Sequence, residues 1–248
     1  MKAFILNSGV GRRMGDISSH KPKAMTEIGA GYTILSRQLE QVARAGIREV
    51  VMTTGPFSDL LRAHVESLGL PLKVRYVHNP DYASTNYIVS MHLAAPLLEG
   101  DDIFFVHGDL VLEDGVLWDL LRASDSVMAV DSALPLPQKD FKARLCGRRI
   151  AAIGVDLFGA DCVACQPAYK WLAADFACWL RAVAAFVARG DTAVYAENAF
   201  NAASGSIPLV PLELAGRLCN EIDNPEDLHA VGGRFLQSLK DRSGEARL

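Results

Sequence analysis

Apolar and polar positions follow two alternating periods along the first half of the chain. Ala3–Leu6 is a short apolar run of strand type. Thr33 then precedes Ile34, Leu35, Leu39 and Val42 at helical spacing, which predicts a helix capped by Thr33. Val50–Thr53 reads as a second strand, and Leu60, Leu61, Val65 and Leu68 form the stripe of another helix. A third strand is predicted at Val74–Val77 and a helix over Asn86–Leu98. Ile103–Val106 is a fourth strand, wholly apolar, of the kind buried on both faces in a parallel sheet. Repeated strand–helix units of this length predict a right-handed, doubly wound α/β sheet with ligands at the carboxyl ends of its strands.

From about residue 130 the rhythm changes. LPLPQKDFKARLCGRRIAAIGVDLF carries two prolines and then a hairpin pattern around Gly147. An alanine-rich helix is predicted from Ala168 to Ala188, a strand over Ile207–Leu212 and a closing helix opened by Pro225. The tail DRSGEARL is expected to fray. Without an internal repeat or flexible linker, residues 1–248 are expected to form one domain.

Composition narrows the function classes. Half of the 248 residues are hydrophobic and 22% are charged, enough for a sizeable core. A net charge of −4 provides no electrostatic footprint for nucleic acid, so any anion-binding surface must be local. No stretch has the length of a membrane span or a secretory leader. Five cysteines without a disulfide-framework spacing suit a reducing cytoplasm, and Cys162 with Cys165 reads as buried or incidental thiols. His20, His78, His92 and His107 show no metal-ligand spacing and receive no catalytic role.

The candidate chemistry lies in ILNSGVGRRMGDISSHKPKAMTEIG, residues 5–29. A dinucleotide fingerprint would read G-x-G-x-x-G directly into a helix, with a carboxylate ending the second strand. Here Gly9, Gly11 and Gly15 are spaced one residue too long, Ser18–Pro22 interrupts the helix, and Met52-Thr53-Thr54-Gly55 offers no carboxylate. A P-loop would need Gly-Lys-Ser/Thr, which is absent. What remains is a glycine turn whose bare amides can approach phosphates, followed by Arg12, Arg13, Lys21 and Lys23.

Leu6-x-x-Gly9-x-Gly11-x-Arg13-Met14, followed by Lys21-Pro22-Lys23-Ala24-Met25, resembles the signature of the nucleotidyltransferases that activate sugar phosphates and phosphocholine. Asn7-Ser8 stands where two alanines are common in that family. Asp109 in HGDLVLED and Asp223 in NEIDNPEDL are similar to its two metal-binding aspartates. YASTNYIVSMHLA, LPLPQKDFKA, CQPAYKW and AENAFN resemble the branch handling phosphocholine and phosphonates, notably the cytidylyltransferases of phosphonate tailoring.

The resemblance implies a Rossmann-like, GT-A-like fold with a mostly parallel sheet and a small β insertion for the acceptor. Residues 1–130 would bind the nucleotide, and residues 131–248 the acceptor while supplying the second metal ligand. It implies attack by a phosphate or phosphonate oxygen on the α-phosphorus of CTP, with loss of pyrophosphate. Arg13 would hold the β- and γ-phosphates and Lys23 the α-phosphate and incoming oxygen, both as catalytic residues. Leu6, Asn7, Ser8, Gly9 and Gly11 would line the nucleotide, with Ser84, Thr85 and Asn86 against its base and ribose; those three also suit helix capping. Mg²⁺ would be held by Asp109 and Asp223. Lys139, Lys142 and Arg144 could meet the acceptor's phosphonate, Tyr169 and Trp171 a cationic head group through their rings, and Glu197, on a loop, an amine. The expected partners are CTP and a small phosphonate or phosphomonoester, with no nucleic acid or membrane and with a homodimer allowed. A sugar-1-phosphate nucleotidyltransferase using UTP, dTTP or GTP, and a non-catalytic nucleotide-binding module, stay open as alternatives.

Overall fold

The structure is a computed structural model that describes residues 1–9, 11, 14–15 and 20–245, with side chains to residue 241. The strands are β1 (Lys2–Leu6), β2 (Glu27–Gly29), β3 (Tyr32–Thr33), β4 (Glu49–Thr54), β5 (Lys73–His78), β6 (Ile103–His107) and β7 (Leu110–Leu112), then β8 (Val127–Asp131), β9 (Lys142–Cys146), β10 (Arg149–Gly154), β11 (Cys162–Trp171), β12 (Val210–Glu213) and β13 (Cys219–Glu221). The helices are α1 (Ile34–Arg44), α2 (Ser58–Ser67), α3 (Tyr87–Leu98), α4 (Asp114–Arg122), α5 (Ala173–Ala188), α6 (Ala196–Ala203) and α7 (Pro225–Glu245). The last reaches to within three residues of the chain end that was expected to fray. Among the described residues no helix is long and apolar enough to cross a membrane.

The architecture is α/β. The central sheet runs β10-β9-β11-β6-β1-β4-β5, with β8 pairing β11 and β12 off that path. From β6 to β5 every pairing is parallel, as the alternating βα units require. On the other side β11 runs antiparallel to β6, β8 and β9, and β9–β10 is the hairpin turning at Gly147.

Side chains on β1 alternate with the pleat: Ala3 and Ile5 join the core under α1 and α4, whereas Phe4 and Leu6 join that under α3, α5 and α6. A third cluster under α7 includes Ile28, Val111, Ile222 and Phe235. Thr33 caps α1 as expected, and its hydroxyl accepts from the Ser36 amide while Ser36 Oγ accepts from the Thr33 amide.

The segment 168–171, expected to open the long helix, is instead the end of β11. Its register against Val106–Ile103 of β6 and against Met128 and Val127 of β8 satisfies its backbone on both sides. The helix starts only at Ala173, whose amide donates to Asp102 Oδ1 at 2.9 Å.

One face of α1 is polar and yet buried. Gln38 Nε2 donates to the carbonyls of His107 and Leu110 at 2.8 Å each, and Gln41 Nε2 to that of Leu112 at 3.0 Å. Arg37, 1% exposed, reaches Asp114 Oδ1 at 2.5 Å. The helix therefore holds the β6–β7 segment from behind. Asp114→Ala would remove the carboxylate that pairs with a buried guanidinium and is expected to cost about 2–3 kcal/mol, less than the roughly 3–5 kcal/mol for breaking a fully buried pair because Asp114 is partly solvated. Urea denaturation at equilibrium checks this, with Asp114→Ala melting at lower denaturant and an unchanged slope.

Candidate active site

The turn after β1 sits close against its neighbours because two adjacent strands end in glycine. A Cβ on Gly108 would lie 1.9 Å from Asn7 Oδ1 and 2.6 Å from Leu6 O, and one on Gly55 would lie 2.3 Å from Ser8 O. The Gly108 amide donates to Leu6 O and the Asn7 amide to Thr53 Oγ1, both at 2.9 Å. The turn so held opens a cavity of about 270 Å³ lined by Leu6, Asn7, Gly9 and Gly11 together with Lys23, Asp109 and Asp223. Gly11 takes φ +68°, left-handed backbone that glycine adopts without strain. Arg13, expected to grip the outer phosphates, lies outside the described residues.

Lys23 stands on a one-turn 3₁₀ helix, Lys23–Met25. Its ammonium is 2.7 Å from Asp109 Oδ2 and 2.5 Å from Asp223 Oδ1, joining residues that lie 86 and 200 positions away in sequence. The pairing of β7 with β13 explains the meeting. Glu221 faces Leu110, and one step outward the Ile222 amide donates to Asp109 O at 3.0 Å, which delivers Asp223 beside Asp109. Burial pulls the Lys23 ammonium down, but the two carboxylates outweigh it and leave its pKa raised. Asp109 is correspondingly lowered: burial opposes, and the charges of Lys23 and His107 prevail.

Two further groups belong to this cluster that the sequence reading left out. Glu221 and His107 place ligand atoms within 4.8 Å of one another and of Asp109, and Glu221 does the same with Asp223 and Asp140. Burial and the neighbouring Asp109 carboxylate push Glu221 up to about 7, against the opposing pull of His107, whose Nδ1 is 3.4 Å from Glu221 Oε1. The signal for Glu221 was local, since residues 221 and 223 are two apart where a strand runs out and project to one side. His107 is likewise two residues from Asp109, but its ion-pair partner Glu221 comes from β13, which the sequence does not reveal.

The donor set fits a hard divalent cation. Three carboxylates converge, and the buried Oδ1 of Asp109 has no hydrogen-bond partner among the described residues.

A second cavity, about 330 Å³, shares Leu6, Gly9 and Asp109 with the first and extends along Ser8, Thr85 and Asn86 to Tyr87. Asn86 caps α3 by accepting from the Tyr87 amide, so capping and cavity lining coexist there. Ser84 is exposed and its hydroxyl donates to Asp81 O; it does not line this cavity.

The expected acceptor residues are not brought together. Tyr169 and Trp171 are 0% exposed on β11, stacked at 5.7 Å within the core that holds Phe105 and Trp179, so neither ring can face a head group. Glu197 is on α6 rather than on a loop and is fully buried, accepting from Tyr87 Oη and from Tyr169 Oη. Burial and this carboxylate hold both phenols well above their ordinary pKa, so they stay donors. Glu197 thus anchors the ring of Tyr87, a wall of the second cavity. Lys142 is buried, donates to Pro137 O at 2.7 Å and lies over the Phe158 ring, while Lys139 is exposed. Arg144 pairs with Asp161 at 3.3 Å.

Comparison with known proteins identifies the family. A CMP-5'-(3-aminopropyl)phosphonate synthase of Streptomyces rubellomurinus is 36% identical over 136 residues, 55% of this chain but only 21% of that protein. The mannose-1-phosphate guanylyltransferase catalytic subunit beta of Dictyostelium discoideum is 27% identical over 121 residues, 49% of this chain and 33% of the relative. The chain thus spans a fifth to a third of these two relatives. Among solved structures, the CTP:phosphocholine cytidylyltransferase of Streptococcus pneumoniae superposes with a TM-score of 0.75 at 19% identity, over 94% of this chain and 98% of that one, a likeness of fold. Residues 3–152, which include the glycine turn, Lys23 and Asp109, match the MobA-like NTP transferase domain, and the chain belongs to that family of nucleotidyltransferases.

Proposed function

We propose that the protein transfers CMP from CTP to a small phosphonate or phosphocholine-like acceptor and releases pyrophosphate. The observation that carries this reading is the Lys23 ammonium held between Asp109 and Asp223 at the edge of the glycine-turn cavity. Paired carboxylates and a positive charge set beside bare backbone are the groups that a triphosphate and its cation require. The choice of CMP and of a phosphonate is supported by the 36% identical relative.

An acceptor oxygen forms a bond to the α-phosphorus while the bond to the β-phosphate bridging oxygen breaks, and that oxygen leaves on pyrophosphate. The nucleophile is already anionic at neutral pH, so the protein's task is alignment and charge neutralisation rather than proton abstraction. Lys23 turns from the carboxylates to the α-phosphate oxygens, and amides of the turn meet the remaining phosphate charge. Asp109 and Asp223, with Glu221 beside them, would hold Mg²⁺, which when bound neutralises phosphate charge. A cavity of about 190 Å³, in which Asp140, Glu221, Asp223 and Asp227 outnumber the cation Arg234, adjoins the cluster and suits an acceptor bearing an ammonium group better than a neutral hexose. All five cysteines are free thiols, in keeping with the cytoplasmic location we infer.

The test is pyrophosphate release with Mg²⁺, pairing CTP, UTP, GTP, ATP and dTTP with 2-aminoethylphosphonate, phosphocholine and glucose 1-phosphate. CTP-dependent release with either of the first two acceptors is expected. Release only with glucose 1-phosphate would overturn the acceptor assignment, and release with no pair would overturn transfer to these classes altogether.

A further inference from the structure

The floor of the second cavity is a buried polar chain whose direction follows from its hydrogen-bond geometry together with the burial of its hydroxyls. The Asp81 amide donates to Asn79 at 2.9 Å, so the atom facing it is the carbonyl Oδ1. The other end of that side chain is therefore the donor Nδ2, which lies 3.0 Å from Ser90 Oγ and 3.2 Å from Thr85 Oγ1. Thr85 in turn gives its own proton to Asp81 O at 2.8 Å. Ser90 Oγ accepts from Asn79 and lies 2.7 Å from Ser8 Oγ, a contact across which either hydroxyl can donate. Burial favours donation by Ser90: this leaves the proton without an acceptor among the described residues on Ser8, 6% exposed at the cavity, whereas the reverse would leave it on Ser90, which is 0% exposed.

The chain is desolvated: Asn79 is 1% exposed, Ser90 0% and Ser8 6%, and Ser8 borders the cavity. A buried hydroxyl proton without an acceptor is costly, so a bound group that accepts there is favoured and one that presents an N–H is rejected.

We propose that Asn79 and Ser90 are positioning residues that lock Ser8 as a hydrogen-bond donor to the nucleotide base, and that this polarity selects the unprotonated N3 of cytosine over the N3–H of uracil. The inference rests on the proposed transfer of CMP and on the nucleoside lying in this cavity. Tyr87, fixed by Glu197, borders the same space, and the position held by Ser8 is one at which the wider family commonly has alanine.

Calorimetric titration of CTP and UTP, without acceptor, tests the idea on the wild type and on Ser8→Ala, Ser8→Thr, Ser90→Ala and Asn79→Asp. Ser8→Ala is expected to weaken CTP about five- to tenfold and UTP hardly at all, since one net hydrogen bond is lost. Ser8→Thr keeps the hydroxyl and should keep the preference. Ser90→Ala frees the Ser8 rotor and should narrow the CTP-to-UTP ratio while retaining CTP binding. Asn79→Asp, read at alkaline pH where the carboxylate is ionised, reverses the chain and should move the ratio towards UTP. A packing role alone would weaken both nucleotides together, so an unchanged ratio in every variant overturns the inference and leaves the nucleotidyl-transfer reading standing. A wild-type protein that binds neither nucleotide overturns both.

Discussion

Lys23→Met is expected to slow nucleotidyl transfer by about 10²–10³-fold, the usual cost of losing one preorganised group that stabilises transition-state charge. The same variant should bind Mn²⁺ more tightly than the wild type when no nucleotide is present, by roughly tenfold. The two effects have one origin. The ammonium lies 2.7 Å from Asp109 and 2.5 Å from Asp223, where it compensates carboxylates that a divalent ion would otherwise neutralise. With both aspartates joined by Glu221, removing the lysine leaves three acidic groups facing one another, and a cation relieves that repulsion. Turnover by pyrophosphate release and Mn²⁺ binding by electron paramagnetic resonance give the two readouts. Lower activity with unchanged or weaker Mn²⁺ binding would mean that Lys23 and the cation do not share these carboxylates.

Asp109→Asn is expected to be at least as damaging, about 3–5 kcal/mol or roughly 10²–10⁴-fold in kcat/KM. The substitution keeps the shape of the side chain and removes the charge. Its buried Oδ1 is unpartnered among the described residues, and Gln38 holds the adjoining backbone by bonding to the carbonyls of His107 and Leu110. The loop should therefore stay in place while its cation affinity falls, so raising Mg²⁺ should recover part of the rate. Far-UV circular dichroism and denaturant midpoints near the wild type would accompany that loss. A variant retaining nearly full activity at low Mg²⁺ would remove Asp109 from the cation site.

Both predictions depend on residues of quite different visibility. Lys23 and Asp109 were legible because each sits in a short motif at the end of a strand or turn: Pro-Lys after the glycine loop, and Gly-Asp after four apolar residues. Asp223 was legible as a motif, but its meeting with Asp109 was not, since it depends on β13 pairing with β7 across more than a hundred residues. Glu221 and His107 each stand two residues from one of these aspartates, but that spacing alone did not show that β13 brings them together. Their significance comes only from lying within reach of one another.

The acceptor half shows the opposite error. Alanine and two aromatics over 168–171 look helical by local pattern, yet the segment is flanked by β6 and β8, and a middle strand has both its edges satisfied by neighbours. Once it is a strand, Tyr169 and Trp171 point into a layer filled by α5 and α6, and Glu197 meets two phenols inside the core.

By itself the sequence determined the βα alternation, the Thr33 cap, the glycine turn and the carboxylates proposed to carry the chemistry, because period, capping and turn geometry are set by near neighbours. Only the tertiary structure decided which charges share a site, which aromatics are core and that Asn79, Ser90 and Ser8 join in one buried chain. Those outcomes follow from contacts between distant strands, where burial turns an ordinary side chain into a paired charge, a packed ring or a link in a polar chain.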